Sequence, residues 1–471
     1  MSIEKQKTIF ISISSVGAYR NLFLFPGCFF VQLKEFLRRS HEYRVVFLVP
    51  TREYKKYTDL FSEGYNELFF VEPIAVLLSK GILQRCFYFF YSYLLYTQTT
   101  MVLATMGTRP DEPPAGGVGK YLLGPLKWLI AHTFGRSKWI RLTMVPYLFL
   151  NIFRDRPFES VYAKYKPDLV FASHLYGWFD TNLLAEARRQ RVKTMGMPAG
   201  WDHFDKYYLP FHVDLLLAPS KGVGDAGVRF QSYHPKEISV VGYPHFDFIA
   251  GKSYAVPRVQ LLKEFGFPPD ARLILYVSGS VYCPDEVDII KEMARWAEEG
   301  KLNGNVYFVI RLYPGGRNYK NAEERKFEQL KSHPRIAFYR PEVWTDMKTT
   351  ETLLNLMLHA DVVIQVYTTV ALEVTVLGRP LLSTPFDGYH QRPVNRSIRR
   401  FEAFEHFQDV IRSGALARAY NFDELKMYLN RYLEDPSYLA AEREQLRKDQ
   451  CGPLDGQASE RVLTEIISAL S

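Results

Sequence analysis

Residues 361–382 read DVVIQVYTTVALEVTVLGRPLL, and this stretch decides the fold class. It begins with β-branched apolar residues, a pattern typical of a strand buried on both faces. Two hydroxyl residues, Thr368 and Thr369, then lead into a helical pattern that ends at Gly378, and an apolar strand pattern resumes after Pro380. A strand, a helix and a second strand in this order form a βαβ unit, which predicts a parallel sheet.

The same alternation of strands and helices extends outward in two series. The first series occupies residues 8–244 and the second occupies residues 272–385. Between them the pattern loosens at residues 248–258, FIAGKSYAVPR, which we interpret as a linker. We therefore predict an α/β protein with two doubly wound Rossmann-like domains that face a cleft. The domains are residues 1–250 and residues 256–471.

Length and composition agree with two globular domains. The chain has 471 residues, of which 47% are hydrophobic and 23% charged, and these values exclude collagen-like, coiled-coil and disordered classes. The four cysteines lie far apart without the spacing of a zinc site or of a disulfide framework. The first 15 residues lack the apolar stretch of a signal peptide. We expect a cytoplasmic protein.

The charge balance is moderately basic. There are 59 Lys and Arg residues against 51 Asp and Glu, a net charge of +8, which favours an anionic partner such as a phosphorylated substrate or lipid headgroups. A nucleic-acid partner is not expected, because the basic residues are dispersed and no helix-turn-helix or RNA-binding pattern is present.

Residues 80–155 interrupt the first series with an aromatic insertion. Residues 81–106 are too polar for a transmembrane helix and fit a buried or interfacial helix. Residues 120–153 contain five basic residues, no acidic residue and many aromatic ones. This composition is typical of a segment at the membrane interface, but helices packed on the domain with basic edges in solvent would have the same composition.

The start of the helix after residues 361–367 is one candidate anion site. Thr368 and Thr369 lie where free backbone N–H groups and the helix dipole favour a phosphate, although threonine also serves as a simple helix cap. Glu373 lies one turn further on, where its carboxylate can accept sugar hydroxyls or complement the helix dipole.

Two other strands of the second series end in residues suited to phosphate. A first-strand turn contains Ser278, Gly279 and Ser280, and glycine allows a ligand to approach the backbone closely. Arg311 ends the next strand and is followed by a glycine-rich turn with Arg317. Arginine makes bidentate contacts with phosphate, so these strand ends together predict a pocket for a nucleotide diphosphate.

With these features the chain resembles glycosyltransferases of the GT-B fold. More narrowly, three short motifs resemble bacterial surface-polysaccharide transferases related to the CDP-glycerol glycerophosphotransferases. The resemblance covers most of residues 160–471 and the first strand-helix unit, but not the insertion. Its motif residues are Gly242, Pro244, Phe246 and Asp247; Trp201, Asp202 and Lys206; and Asp455, Gly456, Ala458, Ser459 and Arg461.

The resemblance implies a nucleotide-activated donor in the second domain and an acceptor in the first. The residues at the donor would be Ser278, Gly279, Ser280, Arg311, Thr368, Thr369 and Glu373. The family often has a histidine where this chain has Tyr313, so that phosphate contact is not carried over. The implied reaction needs no metal and no cofactor besides the donor, and arginine, hydroxyls and a helix N-terminus would stabilise the leaving diphosphate.

A general base near the acceptor hydroxyl is the remaining requirement of inverting transfer. The candidates are His203 and Asp202 in PAGWDHFDK and His174 in ASHLYGWFDT. His203 is flanked by carboxylates that would orient its imidazole. Asp180 is expected to be the N-cap of the following helix.

Residues near the amino terminus are candidates on the acceptor side. Gly17 and Arg20 follow the first strand, and Arg20 would either meet an acceptor phosphate or remain an ordinary loop arginine. The segment NRSIRR, residues 395–400, is interpreted as a solvated face.

We therefore expect a transferase that uses a nucleotide-activated sugar and a glycan or lipid-linked acceptor in cell-surface polysaccharide synthesis. It would act in the cytoplasm, at the inner face of the plasma membrane if the insertion touches lipid. A transferase of polyol phosphate and an enzyme like the nucleotide-sugar 2-epimerases remain alternatives. A non-catalytic two-lobed binding protein is a third, which the absence of an export signal disfavours.

Overall fold

The computed structural model describes residues 6–61, 64, 66–76, 81–105, 123–153, 155–313, 317–341 and 346–471. The chain divides into two compact units, each with its own parallel sheet. The first unit comprises residues 1–97, 125–248 and 452–471, and the second comprises residues 98–124 and 249–451. The predicted α/β class with two doubly wound domains is confirmed.

The first sheet has the strand order β3-β2-β1-β4-β5-β6-β7, so the direction of winding reverses between β1 and β4. All neighbouring strands are parallel, and Ile9 of β1 pairs with Val45 on one side and Leu169 on the other. The seven strands are β1 Lys7–Ser12, β2 Tyr43–Pro50, β3 Phe69–Ile74, β4 Leu169–Ala172, β5 Lys193–Gly196, β6 Leu215–Ala218 and β7 Ile238–Val240.

The second sheet has the order β10-β9-β8-β11-β12-β13 and reverses between β8 and β11. Its last strand, at residues 417–418, has only two residues and was not anticipated from the sequence. The six strands are β8 Arg272–Val277, β9 Val306–Arg311, β10 Ile336–Tyr339, β11 Val362–Gln365, β12 Leu381–Ser383 and β13 Ala417–Arg418.

Helices connect successive strands, as parallel pairing requires. In the first unit they are α1 Val16–Leu22, α2 Phe29–Arg39, α3 Tyr54–Phe61, α4 Ile82–Ser92, α6 Gly124–His132, α7 Val145–Asn151, α8 Glu159–Tyr165, α9 Gly177–Gln190, α10 His203–Lys206, α11 Lys221–Ala226, α12 Pro244–Gly251 and α21 Ala458–Ser468. In the second unit they are α5 Gln98–Thr105, α13 Arg258–Glu264, α14 Glu286–Glu298, α15 Arg317–Phe327, α16 Met347–His359, α17 Val370–Val376, α18 Glu405–Arg412, α19 Phe422–Glu434 and α20 Ala440–Gln450.

The stretch that decided the fold class forms β11, α17 and β12. All four residues of β11 and all seven of α17 are buried, because the sheet is covered on both faces. Gly378 has a φ of +68°, a conformation that glycine adopts without steric cost, and it follows Leu377, the residue that caps the helix.

The carboxyl-terminal helix differs from the predicted domain division. The sequence predicts that all of residues 256–471 belong to the second domain, but α21 belongs to the first unit. The Asp247 carboxylate accepts the N–H groups of Gly456 and Ala458 at 3.1 and 2.7 Å, and Arg461 Nε donates to the Val241 carbonyl at 2.7 Å. Two of the motifs that carried the family resemblance therefore hold this helix in place.

Two further segments depart from expectation. The predicted linker begins inside helix α12. Helix α5, from the insertion, belongs to the second unit, where the Glu405 N–H donates to Thr99 Oγ1 at 2.8 Å. In the ranges that the structure describes, no helix combines the length and the apolar character needed to cross a bilayer.

Candidate functional site

Neighbouring strands of the second sheet bring several of the residues predicted to bind the nucleotide donor to one edge of the sheet. Arg311 is the last residue of β9, and its carbonyl accepts the N–H of Ser278, which follows β8, at 3.0 Å. Thr368 follows β11, the next strand beyond β8. The Arg311 side chain is 4% exposed. These residues lie at the strand ends that flank the reversal point, where open α/β sheets bind ligands.

The turn at Ser278, Gly279 and Ser280 has a different role from the predicted one. The Gly279 N–H donates to Glu286 Oε2 at 2.9 Å, and the Ser280 N–H donates to Ser278 Oγ at 2.9 Å. The Ser278 hydroxyl lies 2.6 Å from Glu286 and 2.8 Å from Glu323. Carboxylates therefore occupy the Ser278 hydroxyl and the Gly279 N–H, so these two residues support the edge, whereas the Ser280 hydroxyl remains without a partner among the described residues.

Glu323 organises the neighbouring loop. Its carboxylate is fully buried and accepts the Tyr313 N–H at 3.0 Å, and Arg340 Nη1 lies 3.2 Å from it. Burial, followed by the nearby Glu286, raises the pKa of Glu323, against the hydrogen bonds it accepts. Lys326 pairs with Glu286 and balances part of this negative charge. Tyr313 is thus fixed through its backbone N–H.

Several polar groups at this edge are buried without a partner among the described residues. They are Oγ1 of Thr368, Nε2 of Gln365, Oγ of Ser280 and Oγ of Ser383. Gln365 uses its Oε1 to accept the Thr368 N–H at 2.6 Å. Buried polar groups cost free energy unless they are hydrogen-bonded, so this edge has unused capacity to bind a polar ligand.

Thr369 and Glu373 complete the predicted set. Thr369 is exposed, and the Glu373 carboxylate, one turn into α17, is 4% exposed. Burial, with a smaller effect of the Glu373 charge, raises the pKa of Tyr254, whose phenol donates to the Ile249 carbonyl at 3.1 Å. The positive φ of Ser280 and Tyr367, +55° and +41°, adds backbone strain of a kind that clusters at functional sites.

The interpretation of NRSIRR as a solvated face holds for Asn395, Arg396 and Arg399, which are exposed, but not for Arg400. Its side chain is 1% exposed, lies over the Phe401 ring and donates to the Ser397 carbonyl at 2.6 Å. The Asp387 carboxylate, 7% exposed, accepts the Ile398 N–H at 3.0 Å. Sequence reasoning missed this buried cation because a run of three arginines in six residues has the pattern of a surface.

In the first unit, the structure brings together the predicted residues His174 and His203. Their ring centroids are 5.3 Å apart, and Tyr176 lies 3.9 Å from the first ring and 4.5 Å from the second. Ser15, which follows β1, places its Oγ 3.0 Å from His174 Nδ1. Burial, with a smaller effect of His203, lowers the pKa of His174 to about 3, so its imidazole is neutral near pH 7.

Asp202 joins the same cluster. One carboxylate oxygen lies 3.8 Å from His203 Nε2, and the other pairs with Lys206 one helical turn away. Glycine at position 200 leaves room for this arrangement, because a Cβ there would lie 2.7 Å from His203 Nε2 and 2.8 Å from Asp202 Oδ1 and would displace one of them. The three predicted catalytic residues therefore share one site at the carboxyl edge of the first sheet.

Asp180 is not the helix cap that the sequence indicated. Helix α9 begins at Gly177, and the fully buried Asp180 carboxylate accepts hydroxyls of Ser12 and Ser14, with 2.6 Å to Ser12 Oγ. Burial raises its pKa to about 6, against these hydrogen bonds. Asp180 thus links the segment after β4 to the end of β1, across the reversal point. The serines of the ISISS sequence, residues 11–15, were the one feature of the sequence that could have indicated these hydrogen bonds.

Gly17 and Arg20 lie on α1, which begins directly after Ser15, the residue that contacts His174. A Cβ on Gly17 would lie 3.2 Å from the Ala199 carbonyl oxygen, so glycine allows α1 to approach the loop that carries Gly200. Burial and the positive charge of Arg20 lower the pKa of His245 well below its usual value. Arg20 is half-buried and near that neutral imidazole.

Comparison with known proteins finds solved structures with the same fold and one curated protein that is similar over part of its length. No family model matches the chain. A curated relative, the teichoic acid poly(ribitol-phosphate) polymerase of Bacillus spizizenii, is 22% identical over 252 residues, which are 49% of this chain and 34% of the polymerase. The match thus spans about a third of that relative's length.

Among solved structures, the UDP-GlcNAc 2-epimerase of Neisseria meningitidis, bound to UDP-GlcNAc, aligns over 98% of this chain and 100% of its own, with a TM-score of 0.54 and 11% identity. A glycosyltransferase from Rickettsia africae aligns over 99% of both chains, with a TM-score of 0.52 and 11% identity. At such identities the likeness establishes the fold alone, and it is the fold that the family resemblance implied.

Proposed function

We propose that this protein is a glycosyltransferase that moves a sugar from a nucleotide-activated donor to a glycan or lipid-linked acceptor in cell-surface polysaccharide synthesis. The observation that carries the proposal is the second-sheet edge, where buried Arg311 and polar groups with unused hydrogen-bonding capacity flank the reversal point. The partial similarity to a polymerase of a phosphate-containing polymer supports the proposed setting.

The second unit would bind the donor. Arg311, Thr368 and Thr369 would contact the donor phosphates, and Glu373 would accept hydroxyls of the ribose or the sugar. An arginine and two hydroxyls at fixed positions can stabilise charge that develops on a leaving diphosphate. The proposal includes no metal and no cofactor other than the donor. Ser278, Gly279 and Ser280 would shape the pocket from behind, through Glu286 and Glu323.

The first unit would bind the acceptor, with Gly17 and Arg20 at the approach. His203 is the proposed general base, since Asp202 lies beside its Nε2 and can stabilise the imidazolium that forms. His174 is a weak base because its pKa is about 3. Its proposed role is to orient His203 and Tyr176.

The proposed location is the cytoplasm, at the inner face of the plasma membrane, where a lipid-linked acceptor would be found. The described part of the insertion, residues 81–105 and 123–153, contains five basic residues and no acidic one. That composition is suited to an anionic membrane surface.

Polyol-phosphate transfer is the second candidate, and the name of the curated relative favours it. The two reactions differ in what leaves the donor: transfer of a sugar from a nucleoside-diphosphate sugar releases the nucleoside diphosphate, whereas transfer of a polyol phosphate from a CDP-linked donor releases CMP. An epimerase, which the fold likeness also supports, would release neither and would change a nucleotide sugar without an acceptor.

A nucleotide panel tests the proposal. The purified chain is heated with UDP, GDP, CDP, CMP and dTDP and with their sugar or polyol conjugates, and then each stabilising conjugate is incubated with membrane acceptors. A ligand at 100 times its Kd adds about 2.7 kcal/mol to the folded state. We expect a selective shift and an acceptor-dependent release of nucleoside diphosphate. No shift with any nucleotide would refute the transferase. Release of CMP from a CDP-linked polyol would favour polyol-phosphate transfer, and conversion of a nucleotide sugar without an acceptor would favour the epimerase.

A further inference from the structure

Helix α6 exposes three large apolar side chains, although its Ile130 and Ala131 are buried. Leu126, Trp128 and Leu129 are each more than two-fifths exposed, whereas Lys127, the one charged residue among positions 124–131, is 4% exposed and lies over the Tyr93 ring. A helix of a globular protein in water normally has the opposite arrangement. The exposed face of α6 is therefore suited to an apolar environment.

The same property extends to the neighbouring elements. Ten of the eighteen large apolar side chains that are exposed in the described chain belong to residues 82–92 or 125–152, so the exposure is concentrated there and not scattered as on an ordinary surface. We call these ten side chains the apolar surface. Its most exposed members are Ile82, Leu83, Trp139, Tyr147 and Ile152.

The elements that carry the apolar surface are packed on one another and on the first unit. The rings of Phe90 and Phe134 join α4 to the turn after α6, and Phe87 and Phe149 join α4 to α7. Arg141 donates to the Phe230 carbonyl at 2.9 Å and to Ser232 at 2.8 Å, which anchors the segment between α6 and α7. The apolar surface is thus part of a fixed layer.

The charged side chains around the apolar surface indicate which kind of partner it binds. Arg85, Arg136 and Lys138 are exposed, and the described residues 81–105 and 123–153 contain no Asp or Glu. Exposed tryptophan and tyrosine next to basic side chains suit the headgroup region of a bilayer, where the rings meet the acyl boundary and the cations meet lipid phosphates. A protein partner or a second copy would not require charge of one sign.

We propose that the apolar surface inserts into one leaflet of a membrane that contains anionic lipid, with Trp128, Leu129 and Trp139 in the acyl boundary and Lys138 at the phosphates. The docking is interfacial, since no described helix can span. This docking deepens the proposed function, because it names the surface that would bring the enzyme to a lipid-linked acceptor. Its biological purpose rests on the proposed function. Its physical basis is separate from the nucleotide site.

The test is flotation of the full chain with vesicles of phosphatidylcholine, with and without phosphatidylglycerol. We expect stronger binding to the anionic vesicles, which added salt weakens. The double variant Trp128→Ser/Leu129→Ser should lower partitioning about tenfold or more, because burial of each side chain contributes to binding. Lys138→Glu should weaken binding to the anionic vesicles alone.

The matched controls are Val259→Ser and Met427→Ser, which remove equally exposed apolar side chains from the second unit and should leave partitioning unchanged. Each of three results would overturn the proposal: no vesicle binding, equal loss in variants and controls, or a lipid-free dimer that the double variant abolishes. The nucleotide thermal shift is measured on the same proteins. For the wild-type chain, absence of a nucleotide shift with intact flotation refutes the proposed function, and absence of flotation with an intact nucleotide shift refutes only the docking.

Discussion

Substitution of Asp180 by asparagine tests the cluster at the reversal point of the first sheet. Burial raises the pKa of Asp180 to about 6, compared with 3.8 for an ordinary aspartate, and the difference corresponds to about 3 kcal/mol. Because the folded-state pKa is the higher one, ionisation opposes folding. This carboxylate therefore lowers stability as the pH rises from about 4 to 6, and its effect is constant above that.

Asparagine has the same shape as the protonated acid and can still accept from Ser12 or Ser14, so Asp180→Asn should have nearly wild-type stability at pH 4. Between pH 4 and pH 7 the free energy of unfolding of the variant should rise by about 3 kcal/mol relative to the wild type. Urea unfolding at intervals of pH, followed by tryptophan fluorescence, measures this difference.

Asp455→Asn is the matched control in the same unit. The hydrogen bonds from Arg461 lower the pKa of Asp455, so its ionisation favours folding and the variant should lose stability relative to the wild type as the pH rises. If the stability difference between Asp180→Asn and the wild type did not change with pH, or changed in the same direction as for Asp455→Asn, Asp180 would not be a buried carboxylate with a raised pKa.

Three other substitutions, one of them with a matched control, test separate features of the structure. Gly200→Ala should displace His203 and lower the transfer rate about 100-fold with unchanged nucleotide affinity, and full activity would exclude His203 from catalysis. Arg311→Ala should weaken nucleotide binding by about 1 to 3 kcal/mol in calorimetric titration. Arg272→Ala, at the opposite end of a neighbouring strand, should leave binding unchanged, and equal effects would refute a role for Arg311. Asp247→Asn should speed amide exchange of the carboxyl-terminal helix without affecting nucleotide binding, and unchanged exchange would contradict its anchoring role.

The βαβ alternation was readable from the sequence because it depends on local periodicity. The burial of residues 362–365 and the turn at Gly378 follow from the order of residues along the chain. The return of α21 to the first unit was not readable, because it depends on hydrogen bonds between Asp247 and residues more than 200 positions later. The two-residue strand at 417–418 has too few residues for any pattern.

The candidate site was predictable in its location and only partly in its contacts. The rule that ligands bind at strand ends selected Arg311, Thr368 and His174. The rule could not show that Glu286 and Glu323 occupy the Ser278 turn, since those carboxylates come from helices whose sequence resembles any charged helix. Nor could it show that Arg400 is buried, because sequence does not distinguish an enclosed arginine from a solvated one.

The central claim is that the second unit binds the nucleotide at the carboxyl ends of β9, β8 and β11. Photolabelling with an azido derivative of the nucleotide that gives the largest thermal shift, followed by peptide mapping, tests it most directly. We expect labelled peptides to contain residues 311–313 or 365–373, and we expect unmodified nucleotide to prevent the labelling. Labelling confined to residues 7–240, or labelling that unmodified nucleotide does not reduce, would contradict the claim.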